Sequence, residues 1–168
     1  MRHRVQAKQP TSNMCFVCGR ENSSSLGASF YELDNGELVG LFTGREEHQG
    51  YPGRLHGGIA TAILDEAIGR AIAVPHGGMV WGVTVEVTTR FRKPIPLHTT
   101  LTVRCRITHE DSRFFEGTGE LVLPDGGVAA TAKGRYRRLP LEKIADGNLD
   151  NAGWEITPRP DDPTEIEL

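Results

Sequence analysis

Two acidic residues stand side by side in the middle of a helix-forming run, and only one of them has an evident partner. Glu66 is followed four residues later by Arg70, the favourable order for an ion pair along a helix. Asp65 has Thr61, Ile68, Gly69 and Ile72 as its helical neighbours, none of them basic. At ~100° per residue the two carboxylates point to different sides. A carboxylate without a cation either finds hydroxyl or backbone donors or does chemistry, as a general base or as a nucleophile. Just upstream, His56-Gly57-Gly58 opens the same run. A helix start there offers unpaired backbone N–H groups and the positive end of the dipole, and glycine lets a substrate oxygen approach closely. The same glycines also suit a tight loop-to-helix turn.

The run carrying these residues ends before Pro75. Ile59, Ile63, Ala67 and Val74 share one stripe, widened by Ala60, Leu64 and Ala71. That is more apolar surface than a surface helix needs, so the pattern predicts a helix mostly enclosed by other structure. Two strands precede it, 27–33 and 37–43, around a hairpin turn at Asp34-Asn35-Gly36. Four follow, 79–91, 99–110, 113–123 and 128–138, separated by KPIPLH, EDS and PDGG turns. In the first of these, alternation sets Trp81, Val83, Val85, Val87 and Phe91 on one face. Thr84, Glu86, Thr88, Arg90 and Arg92 fall on the other. One long helix against many antiparallel strands is an α+β fold, a sheet wrapped around a central helix.

At 168 residues the chain is long enough for a real core. Its net charge of −3 argues against non-specific nucleic-acid binding, and no DNA-binding helix pair or basic tail is present. The charge is divided: residues 141–168 carry eight acids and two bases, while the preceding body is mildly basic. The expected division is an N-terminal segment (1–25), a folded domain (26–139) and an acidic, partly irregular tail (140–168) anchored through Trp154 and Ile156. Residues 1–13 are polar and expected to be loose. No apolar run approaches the ~18 residues of a membrane span, no secretory signal is evident, and three cysteines make no disulfide framework. These features predict a soluble cytoplasmic protein without a membrane partner.

Cys15 and Cys18 form a CxxC pair. As half a zinc site it would need completion by His3 or His48, since no second CxxC exists and Cys105 lies in a predicted strand. As a redox pair it lacks a thioredoxin-like βαβ setting. The plain expectation is a packed loop with no metal.

HGG, six residues, then Asp, followed by VTVEVTTRFRKPIPL, resembles the hot-dog-fold acyl-CoA thioesterases, in particular their phenylacetyl-CoA thioesterase branch. The similarity covers residues 26–138. CxxCG segments like this one also precede the first strand in bacterial relatives. The resemblance implies a hot-dog fold, hydrolysis of an acyl-CoA to acid and CoA without a cofactor, and a homodimer or homotetramer. In such a dimer Asp65 of one subunit lies near the HGG loop of the other. Asp65 would act as general base or nucleophile, Gly58 with Gly57 as oxyanion donors, and His56 would orient the carbonyl or hold the loop. Thr84 matches a position where relatives place a water-positioning Ser or Thr. On strict alternation, though, it can reach Asp65 only through a bulge or across a subunit boundary. Some relatives carry an Asn or Gln shortly before HGG, for which Gln49 is the candidate, whereas Gly50 has no side chain to serve. Arg90, Arg92 and Lys93 lie where the family meets the CoA phosphates, although basic pairs on one face of a sheet are ordinarily just solvated. Two other readings are a non-catalytic acyl-CoA-binding module and a hot-dog hydratase or dehydratase. The second needs a His–acid pair, for which His48 and Glu66 are the nearest residues.

Overall fold

A computed structural model describes residues 1–146 and 153–168. Its elements are β1 (Arg2–Lys8), β2 (Ser29–Leu33), β3 (Leu38–Thr43), α1 (Gly57–Ala71), α2 (Ala73–His76), β4 (Trp81–Phe91), β5 (Thr100–Glu110), β6 (Phe114–Val122), β7 (Val128–Leu139), α3 (Leu141–Ile144) and β8 (Glu165–Glu167). The strands form one sheet in the order β4-β7-β6-β5-β3-β2-β1-β8, antiparallel at every pairing. The helix α1 lies across the inner face of β3 to β7. This is the α+β arrangement expected, and it is the hot-dog fold: a sheet wrapped around one long helix.

The helix is enclosed because its apolar stripe meets an inner sheet face of small residues. Ile63, Leu64, Ala67 and Ile68 are fully buried. Leu64 and Ile68 sit against Gly117 and Gly119 of β6, where an added Cβ would fall 2.7 Å from Ile68 and 2.8 Å from the Cys105 sulfur. Close backbone approach is what glycine in a strand interior permits. Burial of such Leu and Ile side chains stabilises by roughly 1.5–3 kcal/mol each. The C-terminal end differs slightly from expectation. After Ala71 the chain makes a second short turn with Pro75 inside it, ending at Gly77 in the left-handed region (φ 58°). Pro75 is tolerated because it stands in the first turn of α2, where an N–H has no intrahelical partner.

Both chain ends were expected to lie outside the sheet, and both add strands to it. Residues 1–13 are not loose along their length: β1 pairs with β2 on one side and β8 on the other. The tail, expected to be irregular, contributes β8, whose Ile166 joins Tyr31, Leu33 and Val39 in a second, smaller apolar cluster. Ion pairing holds the clip: Lys8 Nζ donates to Asp162 Oδ1 at 2.6 Å, and so does the Tyr31 hydroxyl. Trp154 is anchored, edge-to-face on Trp81 with centroids 5.2 Å apart, whereas Ile156 is exposed. Residues 147–152 of the expected tail lie outside the described residues. No helix among the described residues is long and apolar enough to cross a membrane.

Candidate active site

Asp65 sits midway along α1 on the side facing β4 and β7, where three hydrogen bonds reach its carboxylate. Thr84 Oγ1 donates to Oδ1 at 3.0 Å and lies 3.3 Å from Oδ2. The Tyr136 hydroxyl lies 3.0 Å from Oδ1 and equally 3.0 Å from the Asp65 backbone oxygen. Among the described residues no cation pairs with it.

Thr84 arrives there by a bulge. Along β4 and β7 the register runs Thr84↔Tyr136 and then Glu86↔Arg135, so Val85 is an extra residue with no partner on β7. Without it, Thr84 would share a face with Glu86, Thr88 and Arg90, as strict alternation requires. The inserted residue turns Thr84 toward the helix and leaves Val85 more than half exposed. The expected faces of β4 therefore hold from Glu86 onward and are exchanged before it. Thr84 and Gly82 turn inward, Gly82 against Phe115, so that Trp81, Val83 and Val85 are not on the helix face where alternation predicted them.

Tyr136 is a site residue that sequence reasoning missed. It is buried, stacked on Phe115 with centroids 4.9 Å apart. Room for it comes from glycine: a Cβ at Gly134 would lie 2.5 Å from its hydroxyl, and one at Gly69 would lie 3.2 Å from its ring. Burial, and then the neighbouring Asp65 carboxylate, push the phenol well above its ordinary pKa, so it stays a donor. The signal was present in β7. Its inner face reads Ala130, Ala132, Gly134, Tyr136, small residues closed by one large residue with a polar tip. Thr89 also turns inward from β4, and its buried hydroxyl has no hydrogen-bond partner among the described residues.

The helix start is held differently from expectation. His56 is the N-cap, and its Nδ1 accepts from the Gly58 N–H at 3.0 Å. Accepting at Nδ1 requires the proton on Nε2, so the exposed ring presents an N–H donor at the helix start. The Gly58 N–H is thus occupied by the cap, while the Gly57 N–H has no partner among the described residues. Gly57 stands beside Phe91, to which an added Cβ would come within 3.3 Å. The loop before it is closed by Gly50 N–H to the Arg54 carbonyl, 2.9 Å, and His56 N–H to the His48 carbonyl, 2.9 Å. Gln49 Oε1 accepts from the Gly53 N–H at 3.3 Å, a bond inside this loop. His48 is fully buried: Nε2 donates to the Ser24 carbonyl at 2.9 Å and Nδ1 accepts from the Arg45 N–H at 3.0 Å. With both nitrogens engaged it is a loop pin.

The basic residues are not brought to Asp65 within one chain. Arg90 and Arg92 line an open hollow of about 890 Å³ on the outer face of the sheet, with Arg104, Arg106, Lys133 and Arg135. Three of the six are paired there: Arg104 with Glu120, Arg106 with Glu37 and Arg135 with Glu116. Lys93 stands instead at the turn around Gly127.

Comparison with known proteins agrees with this architecture. A family model described as the thioesterase superfamily matches residues 52–130. Acyl-coenzyme A thioesterase THEM4 of Bos taurus is 28% identical over 115 residues, 68% of this chain and 46% of that protein. The chain therefore spans about half the length of this curated relative. A crystal structure of a thioesterase superfamily protein superposes with a TM-score of 0.68 at 30% identity, covering 74% of this chain and 60% of that one. The PaaI protein of the E. coli phenylacetic acid degradation operon shares the fold, with a TM-score of 0.62, 21% identity, and coverage of 70% and 83% of the two chains. Sequence match and fold coincide on the helix and the strands around it, and there the chain is similar to proteins of the thioesterase superfamily.

Proposed function

We propose that this chain hydrolyses acyl-CoA thioesters to free acid and CoA, with Asp65 as the catalytic carboxylate. The observation that carries the reading is the setting of Asp65: two hydroxyl donors, no cation among the described residues, and a position beside an open sheet edge. Thr84 and Tyr136 both bond Oδ1, which leaves Oδ2 the freer oxygen to take a proton from water. Thr84, exposed at the same edge, holds that water in this reading. The Gly57 N–H supplies the oxyanion donor. Gly58 joins it when the substrate carbonyl displaces His56 Nδ1, whose ring then offers Nε2–H.

The site is incomplete in one chain. At ~1.5 Å per residue, Asp65 and the Gly57-Gly58 turn are roughly 11 Å apart along the axis of α1, too far to act on the same carbonyl. β4 is an edge strand of eleven residues with exposed Val85 and Phe91 beside the helix. An unpaired edge of this kind pairs with a second copy. Antiparallel β4–β4 pairing would bring the helix start of one subunit toward Asp65 of the other, so the working form is a homodimer or a homotetramer built as a dimer of dimers. Arg90, Arg92 and Lys93 meet the CoA phosphates from the partner's side in this reading, and Gln49 shapes the loop that carries the oxyanion donor.

The hydratase reading loses its residues: His48 is a buried pin and Glu66 accepts from Arg70 Nε at 2.7 Å. The test is thiol release from a panel of aryl and straight-chain acyl-CoAs, for the native protein and for Asp65→Asn, with the association state measured in parallel. Turnover by the native dimer and its loss in the variant support the reading. Binding of acyl-CoA without turnover on any member would overturn it in favour of the binding module.

A further inference from the structure

One side-chain cluster is built from residues that this site leaves unused. The sulfurs of Cys15 and Cys18 and a carboxylate oxygen of Glu66 all lie within 4.8 Å of one another. The CFVCG turn wraps around the first sulfur: Cys15 Sγ accepts from the Val17 N–H at 3.3 Å and the Cys18 N–H at 3.4 Å. Gly19 lets it close, since a Cβ there would fall 2.3 Å from the Cys15 carbonyl oxygen. The two thiols are unlike. Cys15 is partly exposed, while Cys18 is 2% exposed and accepts from Arg70 Nη2 at 3.2 Å. The bond from Cys18, with help from the two backbone N–H groups, lowers the Cys15 thiol to about 7, against burial and the charge of Glu66. Its bond to Cys15 and burial push the Cys18 thiol up, and Arg70 pulls the other way.

The cluster is poorly suited to a metal. It offers three donors, and the buried guanidinium of Arg70 lies against one of them, where a divalent cation would be repelled. Neither histidine expected to complete a zinc set joins it: His3 Nδ1 lies 3.2 Å from Asp34 Oδ1, and His48 is held by Ser24 and Arg45. Cys105 is separately buried in β5. A partly exposed thiol of lowered pKa and a buried second thiol beside a guanidinium are instead the parts that thiol–disulfide exchange uses.

We propose that Cys15 and Cys18 form a redox-active dithiol that reduces low-molecular-weight disulfides, with Cys15 as nucleophile and Cys18 as resolving thiol. The Cys15 thiolate attacks one sulfur of R–S–S–R, forming a Cys15–S–S–R mixed disulfide and expelling RS⁻, which takes a proton from water. The Cys18 proton passes to the expelled thiolate through solvent, and Arg70 stabilises the Cys18 thiolate so formed. Cys18 then attacks Cys15 Sγ, closing the internal disulfide and expelling the second RS⁻. One external disulfide is reduced by two electrons to two thiols, and the dithiol is oxidised by the same two electrons. The site is independent of Asp65, so it stands whether or not the chain cleaves thioesters.

The experiment is incubation of the reduced native protein with oxidised glutathione, followed by intact mass and thiol titration. Loss of two of the three thiols without adduct is the expected result. Cys18→Ser should trap one glutathione on residue 15, and Cys15→Ser should stay unmodified. On the native protein, which needs no variant to fold, alkylation of Cys15 by iodoacetamide should reach half its maximal rate near pH 7. Native thiols that neither oxidise nor alkylate faster than those of Cys15→Ser would overturn the proposal. So would zinc retained stoichiometrically through purification with both thiols protected, which would make the cluster a metal site.

Discussion

The two neighbouring carboxylates of α1 are answered in opposite ways by the structure around them. Glu66 faces the closed side. Its partner Arg70 is buried, donating to Glu66 Oε1, the Pro10 carbonyl and the Cys18 sulfur, with its guanidinium over the rings of Phe30 and Trp154 at 4.6 and 5.1 Å. Pro10, Cys18 and Trp154 come from the two terminal segments, which the arginine fastens to the helix and to Phe30 of β2. Asp65 faces the open side and, among the described residues, is met by hydroxyls, at the bulged edge of the sheet. A charge satisfied by a buried cation is set for stability. A charge held in place by neutral donors and left accessible keeps its capacity to take a proton. The difference is one residue of helix, ~100° of rotation.

That contrast is open to direct test. The largest effect belongs to Asp65→Asn, which keeps the shape and both hydroxyl bonds. Its kcat for acyl-CoA should fall by roughly 10²–10⁴-fold, the usual worth of a general base, with little change in the thermal midpoint. Arg70→Met should do the reverse. It strips a buried pair of one partner, and urea denaturation should register a loss of about 3 kcal/mol. Should the two variants lose stability equally, the distinction between a fastened and a free carboxylate collapses. Thr84→Val and Tyr136→Phe each remove one donor from Asp65. Each should lower kcat by about tenfold, the worth of one hydrogen bond to a charged group, while KM changes less. The smallest effect concerns a third carboxylate, Asp162, in the clip between the chain ends. Burial raises its pKa, but the bonds from Lys8 and Tyr31 outweigh this and hold it at about 2. A carboxyl held below its unfolded value of ~3.9 stabilises fully above that value and loses the contribution as pH falls through about 2. Asp162→Asn should therefore flatten the thermal midpoint against pH below about pH 4, without altering it in shape near neutrality.

Much of this architecture could be read from local pattern. The six strands and the helix expected around residues 27–138 all form, because their alternation or 3.6-residue period and their turns agree on one answer. The added strands were illegible for a physical reason. β1 and β8 are short and polar, and they are held by Lys8, Asp162 and a single buried Ile166 rather than by an apolar face. In the site, Asp65 was legible because the missing cation shows in a single helix turn. Tyr136 was not, since it meets Asp65 from 71 positions away.

By itself, then, the sequence determined the α+β class, the enclosed helix, the pairing of Glu66 with Arg70 and the lack of any basic neighbour for Asp65. These are matters of period and of residues within one turn. Tertiary structure alone decided what fills the gap at Asp65. A one-residue bulge at Val85 reverses the face of Thr84, and two glycines open the space that Tyr136 occupies. It also decided that His56 caps Gly58 and that Cys18 lies under Arg70. Bulges and close approaches depend on which strands become neighbours, and that is set by packing of the whole sheet on the helix, not by any stretch of the chain read alone.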